Sequence, residues 1–340
     1  MLKLIYVGFS FPHHGEHAGY DQIRKYINYD KIIDCQRSYD LQCRFFKTRT
    51  IINRAYNRIF GGKLWWIELY LIVLSIFNPK KYVFHIIYGE NIFEFLGYFK
   101  FGNKIAVTIH QPPSYFEDSK QKSLLKKLQK VDKFIVMSRD MESYFKNKFP
   151  EKDVLYIQHG VDTEFFKPKG IKGNQILLIG SWLRDFEFAS KVFNRVLSID
   201  PTANITVITN KENYSYFENT ALKMLSSISD DILLQYYQCS KIVFLPLKQF
   251  TANNSMLEAL SCGCQVIVAT NKDNIAIIND KRVLFVEDNV NKVCECLINT
   301  LKNWKVENEL NTRDSIIQSA SWNIIGKITS DFINSSRQIN

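Results

Sequence analysis

The sequence has no run of about 18 or more uncharged apolar residues, so no membrane-spanning helix is expected. The nearest approach, Leu64 to Phe77, is short and carries Glu68. The opening stretch MLKLIYVGFSFP lacks a basic region, a long apolar core and a small-residue cleavage site, so no secretory leader is read there. The 7 cysteines are an odd number without regular spacing. That argues against a disulfide framework and fits a reducing cytosol, where a sequon such as Asn204-Ile205-Thr206 carries no glycan. Zinc-ligand spacing is missing too: Cys262/Cys264 and Cys294/Cys296 stand one residue apart and read as core thiols. No short-period repeat is evident.

What is present is the material of a globular protein. Of 340 residues, 46% are hydrophobic and 23% charged, and 25 Phe, 17 Tyr and 5 Trp exclude disorder as the main state. The length suggests two domains that together bury roughly three quarters of the unfolded surface. The charge is uneven. Residues 1–172 hold 28 Lys and Arg against 17 Asp and Glu, a net of +11, while residues 173–340 hold 16 against 17, a net of −1. Two basic stretches stand out. Arg37–Lys63 interleaves Arg44, Lys47, Arg49, Arg54 and Arg58 with Phe45, Phe46, Ile51 and Ile52. Lys120–Lys133 sets Lys122, Lys126, Lys127 and Lys130 around Leu124, Leu125 and Leu128. Each reads either as a solvated helix face or as an element that meets an anionic membrane, where a Lys or Arg is worth ~1 kcal/mol. Nucleic acid would also attract this charge, but no such partner is expected.

Apolar runs closed by Gly, Pro or polar residues mark strands at Leu2–Phe9, Tyr82–Tyr88, Lys104–His110, Lys133–Met137 and Val154–Gln158. A helical spacing at Tyr20–Ile27 follows the loop Pro12–Gly19. After a Gly/Lys-rich break at Gly170–Asn174 the pattern restarts, with strands at Gln175–Ile179, Asn204–Thr209, Lys241–Leu245, Val266–Ala269 and Arg282–Val286. Helices are expected at Phe186–Leu197, Asn254–Ser261, Val290–Asn303 and Trp322–Ile333. Strand and helix alternating twice imply two doubly wound α/β domains, with ligands beyond the carboxyl ends of the strands.

The segment Thr251–Val268 carries the most chemistry. Thr251 or Asn253 can cap its helix, Ser255 and Glu258 have capping-box spacing, and Gly263 suits the position after the helix end. Unpaired N–H groups at such a helix start suit a phosphate, and Glu258 is within reach of a sugar or ribose hydroxyl beside it. Alternatively this is a surface helix whose Glu caps its own first turn. In Gly180-Ser181-Trp182-Leu183-Arg184-Asp185, a glycine turn after a strand leads to an Arg that can grip a diphosphate or pair with Asp185. His13, His14 and His17 lie close together, but no Cys or acidic cluster completes a metal site. His110 and Glu90 end strands; each could contact a ligand or serve its local backbone.

With Thr251–Val268, His159–Pro168 and Ser321-Trp322, the chain resembles the retaining, family-4 type glycosyltransferases of the GT-B fold. The resemblance implies two Rossmann-like domains facing a central cleft. An acceptor-binding domain would span 1–170 and a nucleotide-sugar-binding domain 171–320, with residues 321–340 crossing back to the first. It implies transfer of a sugar from a nucleoside-diphosphate donor to a hydroxyl of a glycan or lipid-linked acceptor, with retention and with no cofactor or metal. His110, Arg184 and Glu258 would be catalytic. Gly19, Gly180, Asn253, Asn254 and Ser255 would join Arg184 and Glu258 in holding the donor, and His17, Tyr20 and Glu90 would hold the acceptor. A cytoplasmic enzyme is expected, peripheral on an anionic inner membrane and active in cell-surface polysaccharide or glycolipid synthesis. Two positions depart from the pattern. Ala189 stands where the family often has a second cation, and Phe250 where many relatives have a second Glu against the donor sugar. The alternatives are a non-catalytic sugar-nucleotide or membrane-binding module, and a GT-B nucleotide-sugar 2-epimerase.

Overall fold

The computed structural model describes residues 2–11, 15–47, 64–217, 221–249, 253–271 and 281–335. His13, His14, Phe250, Thr251 and most of the basic stretch 37–63 lie outside them. The described chain divides into two compact units. Unit 1 holds residues 1–14, 19–159 and 325–340, and unit 2 holds 15–18 and 160–324.

Unit 1 is built on β1 (Lys3–Gly8) and β2 (Lys31–Asp34), then α1 (Gln36–Lys47) and α2 (Trp65–Phe77). There follow β3 (Tyr82–Ile86), the short α3 (Gly89–Ile92), β4 (Lys104–Ile109), α4 (Pro113–Glu117) and α5 (Lys122–Leu128). β5 (Lys133–Val136), α6 (Arg139–Lys148) and β6 (Asp153–Tyr156) complete this stretch. The sheet order is β2-β1-β3-β4-β5-β6, every pair parallel. β4 shows why these residues make strands: its KIAVTI is buried from Ile105 to Ile109, as a parallel strand covered on both faces must be. The expected helix at Tyr20–Ile27 is instead a six-residue 3-10 turn, Tyr20–Lys25.

Unit 2 begins with β7 (Gly173–Ile179), α7 (Phe186–Ile199), β8 (Asn204–Ile208) and β9 (Lys223–Leu225). α8 (Asp230–Cys239), β10 (Ser240–Pro246), α9 (Asn254–Ser261), β11 (Gln265–Thr270) and β12 (Val283–Glu287) follow, then α10 (Val290–Lys302) and α11 (Val306–Ala320). α12 (Trp322–Asn334) begins in unit 2 and contributes residues 325 onward to unit 1. The order is β12-β11-β10-β7-β8-β9, again all parallel. Alternation along β7 splits the core. Ile176 and Leu178 face one cluster with Val192, Phe193 and Phe244, while Leu177 and Ile179 face another with Tyr237, Val243 and Leu260. Two of the segments that carry the family resemblance meet in this unit. Val161 bridges Ser321 in parallel, the Val161 N–H donates to Ala320 O at 2.9 Å, and Gly160 lies against the buried Trp322 ring.

Every strand expected from sequence is present; β2 and β9 were not foreseen. Cys262, Cys264 and Cys294 are buried thiols, and no described cysteine is paired. α5 buries Leu124 and Leu128 and leaves Lys122, Lys126 and Lys130 outside, so its amphipathic pattern faces the core of unit 1. Among the described residues no helix is long and apolar enough to cross a membrane, and no cluster of His, Cys, Asp and Glu could hold a metal.

Candidate functional site

In an open parallel sheet the crevice lies where the strand order reverses, beyond the carboxyl ends. In unit 2 that place is between β7 and β10. Gly180 follows β7 with φ +101, a conformation that suits glycine, and a Cβ there would meet the Arg184 guanidinium at 2.9 Å. Gly180 therefore makes room for Arg184. That side chain turns back onto its own strand. Its Nε donates to Ile179 O at 3.0 Å and its Nη1 to Trp182 O at 3.1 Å. Its Nη2 lies 3.4 Å from Asn253 Oδ1, just beyond β10. Two of the five N–H groups of the guanidinium remain for a ligand. Burial lowers its pKa to about 10, so it stays cationic at neutral pH. Among the described residues no carboxylate pairs with it; Asp185, the alternative partner, instead caps α7 by accepting from the Phe188 N–H at 3.0 Å.

Asn253 performs two tasks, because its Oδ1 also accepts from the Met256 N–H at 3.2 Å and caps α9. The N–H groups of Asn254 and Ser255 have no acceptor within the helix, so they and the positive end of its dipole are available to an anion. Asn253 is thus the cap, one of the two expected, while the capping box of Ser255 with Glu258 is corrected: the Glu258 carboxylate does not reach back. It accepts from the Tyr237 hydroxyl at 2.8 Å. Burial raises the Glu258 pKa to about 7, and Asp230 adds to the effect while the Tyr237 bond opposes it. Tyr237, buried on α8, was not singled out by sequence, although Ser229 with Asp230-Asp231 is a helix-start signature. Asn253→Ala should cost about 1–2 kcal/mol through the lost cap. The measurement is thermal unfolding, and an unchanged Tm would mean another group caps α9.

In unit 1 the strand order reverses between β1 and β3, and the polar side chains gather there. Tyr20 and Asp21 follow β1, Tyr88 and Glu90 follow β3, and His110 follows β4. The Glu90 Oε1 accepts from the His110 N–H at 3.2 Å and lies 3.5 Å from its Nδ1. The His110 ring is packed between Tyr20, at 5.0 Å, and Tyr88, at 4.7 Å. Both ring nitrogens of His110, Glu90 Oε2, Tyr88 OH and Asp21 Oδ1 are buried without a hydrogen-bond partner among the described residues. Such a concentration is costly unless a ligand satisfies it. Desolvation raises the pKa of Asp21 and that of Tyr20, the latter to about 12. Behind them, His85 bonds Tyr29 OH at 2.7 Å and Thr108 Oγ1 at 2.9 Å, and burial lowers its pKa to about 3. It is a satisfied core histidine.

The structure thus brings Gly180, Arg184, Asn253, Asn254 and Ser255 together in unit 2, with Glu258 one turn into α9. In unit 1 it brings together Tyr20, Glu90 and His110. Gly19, at φ 96, precedes the 3-10 turn that positions Tyr20. His17 belongs to unit 2, where its Nδ1 is 2.8 Å from Asp162 Oδ2 and its ring stacks on Phe165 at 3.6 Å. Asp21 and Tyr88 had not been foreseen; Tyr88 sits just past the end of β3, a signal that could have found it, whereas Asp21 lies in the 3-10 turn Tyr20–Lys25, away from any strand end.

No protein-family profile matches the sequence, and no curated protein sequence is significantly similar. Solved structures are similar throughout. A glycosyltransferase from Rickettsia africae is 12% identical over 100% of both chains, with a TM-score of 0.67. A sucrose-phosphate synthase from Thermosynechococcus elongatus is 14% identical, covering 98% of this chain and 99% of its own, with a TM-score of 0.63. An E. coli trehalose-6-phosphate protein bound with UDP-2-fluoro glucose is 12% identical, covering 99% and 93%, with a TM-score of 0.67. With its two parallel six-stranded sheets, the chain has the GT-B fold that its motifs imply.

Proposed function

We propose that this protein is a glycosyltransferase. It moves a sugar from a nucleoside-diphosphate donor to a hydroxyl of a glycan or lipid-linked acceptor, in the making of a cell-surface polysaccharide or glycolipid. One observation carries the reading: a buried guanidinium without an anionic partner, Arg184, is bonded to the cap of a helix whose first N–H groups are unpaired, at the reversal point of a nucleotide-binding type of sheet. A departing diphosphate gains negative charge as the glycosidic bond to it breaks. The two remaining N–H groups of Arg184 and the amides of Asn254 and Ser255 are fixed donors for that charge and need no reorganisation. They supply what a divalent ion supplies elsewhere, so the reading is metal-independent. Glu258, one turn in, holds a donor hydroxyl, and the neighbour bound with UDP-2-fluoro glucose supports a nucleotide sugar as donor.

The unsatisfied group of Glu90, His110, Tyr88 and Asp21 holds the acceptor. The family resemblance adds retention of configuration and a cytoplasmic setting, with the basic N-terminal half against an anionic inner membrane.

Incubation with a panel of nucleotide sugars should release nucleoside diphosphate, with or without excess chelator, and the matching nucleotide should raise Tm by mass action. Stabilisation without release would make the protein a sugar-nucleotide binding module. Neither stabilisation nor release would remove the reading.

A further inference from the structure

The helix α2 buries two polar side chains and leaves an apolar stripe exposed. Its polar side chains turn inward. The buried Glu68 carboxylate accepts the N–H groups of Glu94 at 2.6 Å, Phe95 at 2.7 Å and Leu96 at 3.3 Å, and Ser75 donates to Leu71 O at 2.8 Å. Ile67 and Leu71 are buried beside them, but five apolar side chains turn outward: Leu69, Tyr70, Val73 and Ile76 are 42–49% exposed, and Phe77 is 79% exposed. At 3.6 residues per turn these five fall within about 120° of arc, a continuous stripe along a rod roughly 20 Å long.

The stripe extends past the helix end. Lys80 N–H donates to Phe101 O at 3.1 Å, and Asn103 Oδ1 accepts from the N–H groups of Lys81 and Tyr82 at 2.8 and 2.7 Å. These bonds tie the turn after α2 to the loop that carries Tyr98, Phe99 and Phe101, each 47–55% exposed. Most of the charges around this surface are positive, and the acid beside the loop, Asp132, is paired with Lys100 at 2.8 Å. Lys31 donates to Tyr70 OH at 3.0 Å, Lys130 sits 5.6 Å over the Tyr98 ring, and Lys80 and Lys81 are exposed. No Asp or Glu occurs in residues 69–89 or 95–116, and Glu68 is turned inward. Among the described residues nothing covers the stripe.

From this we infer that the outward face of α2, with the loop 98–101, is where the protein lies on a bilayer containing anionic lipid. Aliphatic and aromatic side chains enter the boundary between headgroups and acyl chains, and the surrounding lysines meet phosphate. Lysines around an apolar centre whose neighbouring acid, Asp132, is already paired fit an anionic interface better than a second copy of this chain, which would set the same positive charges against each other. The inference takes up the membrane partner of the preceding section but needs neither Arg184 nor Glu258.

The test is sedimentation of the full chain with vesicles of phosphatidylcholine alone and with one-third phosphatidylglycerol. The protein should pellet with the anionic vesicles and stay in solution with the neutral ones. Val73→Gln/Phe77→Gln should weaken partitioning by about tenfold or more. Lys80→Gln/Lys81→Gln should weaken it by about fivefold per lysine at low salt and less at high salt. Both variants should keep the parent Tm and its rise with UDP or GDP, which separates lost docking from lost folding or donor binding. Pelleting without any nucleotide response would keep the docking face and remove the donor reading. Failure to pellet with anionic vesicles, pelleting unaffected by Val73→Gln/Phe77→Gln, or a dimer that those substitutions dissolve would each overturn the inference.

Discussion

Arg184→Ala is expected to slow release of nucleoside diphosphate by ~100-fold or more, the scale seen when a preorganised donor to a developing negative charge is removed. The effect should fall on kcat more than on KM, because the charge is greatest in the transition state. The side chain also bonds Ile179 O and the exposed Trp182 O, so its loss leaves the part-buried Ile179 acceptor without this donor and costs about 1–3 kcal/mol as well. Arg184→Lys keeps the cation but cannot bond three separated acceptors and still offer two N–H groups to a diphosphate. It should recover most of the stability and little of the rate. If either variant turned over at the parent rate, the guanidinium would be structural and the leaving group would be held elsewhere.

The second large effect is a pH dependence written into Glu258. With its pKa raised to about 7 in the folded chain and near 4.5 otherwise, the folded state prefers the protonated acid. The corresponding stability is fully present below about pH 4.5 and is lost as pH rises through about 7, a swing on the order of 3 kcal/mol. Glu258→Gln keeps the shape and removes the charge. Its Tm should exceed the parent's by several degrees at pH 8 and converge with it near pH 5, while the rise of Tm with nucleotide shrinks. A Tm difference that stays constant across this range would mean that Glu258 is not the group that titrates. The two predictions are separable, since the Arg184 effect falls mainly on rate and only the Glu258 effect changes with pH.

The strands were legible because parallel strands buried on both faces appear as unbroken apolar runs, as in Lys104–Ile109 and Ser240–Pro246. What escaped lies at the edges. β2 is four residues with only Ile33 buried, β9 is three residues with none buried, and both flank their sheets. α8 buries only Tyr237, too little periodicity to see without its cap. α2 was discounted for carrying Glu68, and that same charge is what the fold turns inward. The site shows a comparable divide. Arg184, Asn253 and Glu258 could be named from local turn and helix-start chemistry. The bond between Arg184 and Asn253, 69 residues apart, depends on β7 and β10 being neighbours, which no local pattern encodes. His17 shows the converse. The resemblance assigned it to the acceptor from a local loop, whereas its bond to Asp162, 145 residues away, depends on the fold.

Unit 1 recovers residues 325–335 only after the whole of 160–324 has been laid down. Ile325, Thr329 and Ile333 are buried in it, and Lys133 is bonded to Phe332 O at 2.7 Å and to Ser335 Oγ at 2.5 Å. During synthesis, therefore, the half that leaves the ribosome first is completed last. Its six strands wait with apolar flank uncovered while roughly half of the polypeptide is still being made, and this interval is when chaperones and proteases have access to it.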